Sequence, residues 1–81
     1  MYERIENNTR MTSIEASERY PNSYYAMRMD NRIDDIGILL FVGDNQSELL
    51  QLILDLDDTT NCGIHEGLNL RRSLGGVVVS G

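Results

Sequence analysis

The sequence predicts a small α+β domain: one main helix packed on a small, mostly antiparallel sheet in the order β-β-α-β-β, preceded by a short helix. Three observations point there. They are the apolar run from Ile36 to Val42, the alternating stretch from Ser23 to Met29, and a leucine-rich segment that opens at Asn45 with Glu48 three residues on. A run that is apolar on both faces belongs to a covered central strand, and alternation belongs to a strand with one buried face. An Asn-x-x-Glu start belongs to a capped helix. Eighty-one residues, 41% hydrophobic and 25% charged, suit one folded unit rather than a disordered chain.

Residues 1–11 show no period, and Asn7-Asn8-Thr9 interrupts any helix begun at Met1. They read as a loose N-terminal arm ahead of a single domain over 12–81. Thr12 with Glu15 makes a capping box for a helix from Ser13 to Arg19, and Pro21 then forces Tyr20 out of helical geometry. From Ser23 to Met29, Tyr25, Met27 and Met29 share one face and Tyr24, Ala26 and Arg28 the other. Asp30 to Asp35 is a polar connection to the central strand Ile36–Val42, which Gly43-Asp44 closes.

The main helix runs from Gln46 to Leu56. Leu49, Leu52, Ile53 and Leu56 fall on one face at i, i+3, i+4 and i+7, while Leu50 and Leu54 widen the apolar arc. A strand over Leu52–Leu56 is the alternative. After the loop Asp57–Asn61 comes a strand over Cys62–Glu66. Residues 67–74 fit neither period, and Gly75-Gly76 breaks the chain before a valine strand over 77–80. That last strand either pairs within the sheet or joins a second copy of the chain.

Thirteen carboxylates face seven arginines and no lysine, giving a net charge of −6. The balance excludes nucleic acid and anionic membrane as partners, since both need a cationic face. The surplus is local: Asp44 to Glu66 holds six carboxylates and no base. The polar start Met1–Glu6 is unlike a signal peptide. The longest uncharged apolar run, Ile36–Gly43, is well short of the roughly 20 residues of a membrane span. The chain therefore reads as cytoplasmic, with its single cysteine, Cys62, a reduced thiol.

Two overlapping motifs look like chemistry. Leu52-Ile53-Leu54-Asp55-Leu56-Asp57-Asp58-Thr59 resembles the first motif of the haloacid dehalogenase superfamily of phosphotransferases. The resemblance implies Asp55 as nucleophile and Asp57 as acid/base, both helping to hold Mg²⁺. It covers eight residues. The family's phosphate-balancing lysine has no counterpart in this chain, and its later acidic motif has no room after Thr59. The helix expected after Asn45 would also put Asp55 at a helix end, where the motif needs a strand end. The chain accordingly reads as non-enzymatic.

Asp55-x-Asp57-x-Thr59, with Glu66 at the twelfth position, resembles an EF-hand calcium loop, in which alternate oxygen ligands wrap a hard cation. The sixth position is Thr60 where the sharp turn calls for glycine, and Gly67 is a poor opening for an exit helix. The bland reading is a solvated acidic loop.

Cys62 and His65 have a ligand-like spacing, but three residues apart on a strand they face opposite ways. They read as a buried small cysteine and an ordinary surface histidine. Arg71-Arg72 reads as a partner for the chain's own acidic segment or for another chain. Of Tyr24 and Tyr25, one strand face buries only one.

The function these features support is a non-enzymatic protein-interaction domain without cofactor, joined to a protein partner or to itself as a homodimer. The alternative is a Ca²⁺/Mg²⁺-binding module built from Asp55, Asp57, Thr59 and Glu66.

Overall fold

A computed structural model describes residues 1–30 and 35–72; the strand expected over 77–80 and the middle of the 30–35 connection lie outside them. In chain order the elements are β1 (Tyr2–Arg4), β2 (Arg10–Thr12), α1 (Ser13–Arg19), β3 (Tyr24–Met29), β4 (Ile36–Gly43), α2 (Gln46–Leu54) and β5 (Cys62–Glu66). Residues 68–72 are helical as well. The fold is a small α+β domain with a five-stranded sheet whose pairings among the described residues are all antiparallel.

β4 is the spine of the sheet, as its two apolar faces require. β3 pairs along one edge, and β1 and β2 share the other, in the order β1-β4-β3-β5 with β2 beside β4. Tyr2 pairs with Gly43 and Arg10 with Ile38. Between them the ladder continues through Ile5 N–H to Leu40 O at 2.8 Å and Leu39 N–H to Thr9 O at 3.1 Å. The first twelve residues thus act as one edge strand that loops out at 6–8, where Asn8 takes a left-handed φ of 50°. The expected loose arm over 1–11 is instead two strands, and it escapes a period search because each is only three residues long.

Both capping boxes form. Thr12 Oγ1 accepts the Glu15 N–H at 3.0 Å, and Asn45 Oδ1 accepts the Glu48 N–H at 3.2 Å. The two helices then cover opposite faces of the sheet. On one face Ala16 of α1 packs with Met11, Tyr25, Met27, Leu39 and Val42. On the other, Leu49 and Ile53 of α2 pack on Ala26 and Phe41.

β3 is therefore buried on both faces, with Tyr25, Ala26 and Met27 all fully enclosed, and the one-faced strand expected from alternation is corrected. Alanine in the middle of the polar set is the reason: its small side chain leaves room for α2. A register shift opposite Leu40 lets Leu39 and Val42, three residues apart, serve the same face. α2 ends at Leu54 rather than Leu56, and the strand alternative for Leu52–Leu56 is not the one adopted.

The helical stretch 68–72 resolves part of the ambiguous segment 67–74. It is moored to the turn after α1 by Asn69 N–H to Pro21 O at 2.8 Å and Gly67 N–H to Ser23 O at 2.8 Å. The approach is so close that a Cβ on Gly67 would collide with the Tyr20 carbonyl oxygen, so no larger residue fits without moving backbone.

Candidate functional site

The acidic segment folds as two separate pieces. Asp55 is the αR C-cap of α2, and Asp57 and Thr59 are exposed in the loop beyond it. The loop is organised by its own hydrogen bonds. Thr60 N–H donates to Asp58 Oδ1 at 2.9 Å, and Cys62 N–H donates to Thr59 O at 3.1 Å. Arg28, reaching across from β3, donates to the Asp58 carbonyl. Bonding from Thr60 holds the Asp58 carboxyl below its ordinary value.

Glu66 lies at the far end of β5, opposite Tyr24. An extended strand places it about 13 Å beyond Cys62. The four residues expected as ligands thus divide between a helix end, a loop and a strand end. Among the described residues, no three His, Cys, Asp or Glu side chains gather as a metal centre would need. The dehalogenase-like Asp55 likewise follows a helix, not a strand.

Cys62 and His65 occupy opposite faces of β5, as their spacing requires. Cys62 packs toward α2. His65 is no ordinary surface histidine: its ring stacks on Tyr25 with centroids 5.4 Å apart and planes 17° apart. Its Nε2 is enclosed without a hydrogen-bond partner among the described residues. Burial, and then the Arg71 guanidinium, hold the imidazole below its ordinary pKa. Tyr25 is the tyrosine the sheet buries. Its hydroxyl donates to Ser13 O at 2.9 Å, fastening α1 to the sheet, and burial raises its pKa. Arg71 acts on both rings of this stack, and Glu66, the last carboxylate of the acidic segment, acts on Tyr25 as well.

The surface that stands out is apolar. Leu50 and Leu54, one helical turn apart on α2, are 48% and 61% exposed. Beside Leu50, between α2 and β5, runs an open groove of about 380 Å³ walled by Leu50 and Ile53 on one side and Cys62, Gly63 and Ile64 on the other. Gln46 and Ser47 complete its lining, so among the described residues no charged side chain enters it. In a chain with one residue in four charged, that is a distinct surface.

Sequence patterning marks Leu50 and Leu54 as widening the apolar arc but does not reveal that Leu49 and Ile53 are buried on the sheet, with Leu52 and Leu56 partly buried beside them, while Leu50 and Leu54 stay exposed. Among the described residues, no helix is long and apolar enough to cross a membrane. No protein-family model, curated protein or solved structure matches the chain.

Proposed function

We propose that the chain is a small, non-enzymatic protein-interaction domain that associates with itself. The observation that carries this reading is the groove between α2 and β5, uncharged among the described residues and lined by the exposed Leu50, with exposed Leu54 one helical turn further along α2. Single exposed leucines are ordinary, but a contiguous apolar strip along a groove is the kind of surface that a partner covers.

The reading does not rest on an uncovered sheet face, because α1 and α2 cover both sides of β4. Sedimentation velocity from about 1 to 100 µM tests it, the range in which interfaces of modest area associate. A sedimentation coefficient that climbs from monomer to dimer is the expected result. A monomer across the whole range would overturn the proposal.

A further inference from the structure

We propose that two copies of the chain join by antiparallel pairing of their β5 strands about a two-fold axis at Ile64, fusing the two sheets into one. This deepens the self-association reading above and rests on it. Backbone parity decides which groups of β5 face outward. Gly67 N–H bonds to Ser23 O and Met29 N–H bonds to Asn61 O. The β3–β5 register places His65 opposite Tyr25 and Gly63 opposite Met27. In an antiparallel ladder, alternate residues bond inward, so 61, 63 and 65 face β3 and Gly67 N–H continues the series to Ser23, the Gly67 carbonyl accepting Arg71 N–H instead. The N–H and C=O groups of Ile64 and Glu66 consequently point away from it. No described residue pairs with that outer edge.

The two edges of the sheet differ in how they are guarded. The β1/β2 edge carries Glu3, Arg4 and Arg10 and is broken by the excursion at 6–8. Charge and irregularity of that kind discourage strand addition. β5 is regular over Cys62–Glu66 and has no lysine, proline or bulge. Its outward-bonding residues are even-numbered, and a two-fold axis at Ile64 pairs Ile64 with Ile64 and Cys62 with Glu66. Both pairs join residues that face outward; the Cys62 N–H is already held by Thr59 O, so the fully overlapped register closes on the mutual Ile64 bonds and on Glu66 N–H donating to the Cys62 carbonyl of the other copy.

Charge favours a second copy over a basic partner. Among the described residues the groove that flanks this edge offers no carboxylate to a cation, and a copy brings the same wall. In this register the two Glu66 carboxylates sit at opposite ends of the pairing, about 13 Å apart along the strand. Leu50 of each copy then flanks the seam.

Two measurements on the full chain test the pairing. Amide hydrogen exchange by NMR, repeated across a dilution series, should show Ile64 and Glu66 N–H slowing as concentration rises, while Gly63 and His65 stay slow throughout. Leu50→Glu alters an exposed position and sets like charges beside the seam, so it should weaken the dimer on the order of a hundredfold with circular dichroism unchanged. A dimer that survives Leu50→Glu, with Ile64 and Glu66 exchanging at a concentration-independent rate, would keep self-association and overturn this surface. Protection of those two amides that is equal at every concentration would show the edge covered within one chain, and would also overturn it. A monomer at all concentrations would remove both readings.

Discussion

His65 shows how one side chain can be misjudged when its neighbours are distant in sequence. Tyr25 lies forty positions earlier, and only the β3–β5 register brings the two rings together. The expected consequence is a fold that loses stability in acid. Burial and Arg71 depress the folded imidazole pKa below its ordinary 6.5, so the unfolded chain binds the proton more readily. Stability contributed by neutral His65 is present above about pH 6.5 and is lost as pH falls from there toward the folded pKa. His65→Phe keeps a ring on Tyr25 and removes the titration. Urea midpoints between pH 7.5 and 5 should fall in the parent and stay nearly level in the variant. Equal slopes would assign the acid sensitivity elsewhere. The Asp58 carboxyl, whose pKa is lowered, acts in a separate window below its ordinary 3.8.

α2 shows what a helix reveals and conceals. Its start is legible because capping is local: Asn45 and Glu48 are three residues apart, and the bond they imply is present. Its apolar face is legible only in part. Leu49 is fully buried and Leu50 is 48% exposed, although both are leucines in the same turn. Leu49→Ala should cost about 3 kcal/mol by leaving a cavity over Ala26 and Phe41. At concentrations where the chain is monomeric, Leu50→Ala should change stability by less than about 0.5 kcal/mol, as surface positions do. Similar losses at both positions would mean that the helix is rotated from this orientation. The acidic loop after α2 teaches the opposite lesson. Asp55, Asp57, Thr59 and Glu66 have the spacing of a cation loop, but spacing fixes position along the chain and not in space. Once Cys62–Glu66 extends as β5, the last member is carried away from the rest.

For the whole molecule, the question is where the domain begins. Composition and period put the boundary at residue 12, because three-residue strands leave no statistical trace. The structure uses residues 1–12 to complete the edge of β4. Met11 is 4% exposed within the core that also holds Tyr25, Met27 and Leu39. Tyr2 meets the Phe41 ring edge-on at 6.2 Å, and the Arg4 guanidinium lies 5.7 Å from the centre of the same ring. A chain beginning at Thr12 would lose those contacts and leave the β4 edge without its ladder. Removing one buried methionine side chain alone costs about 2–5 kcal/mol. A domain of this length holds a total of only about 4–12 kcal/mol. The shortened chain should therefore lose at least about a sixth of its stability in urea denaturation. Its newly bared β4 edge should also make it prone to aggregate on heating. A midpoint equal to that of the full chain would return residues 1–11 to the standing of an arm, and would place the whole of the core behind α1.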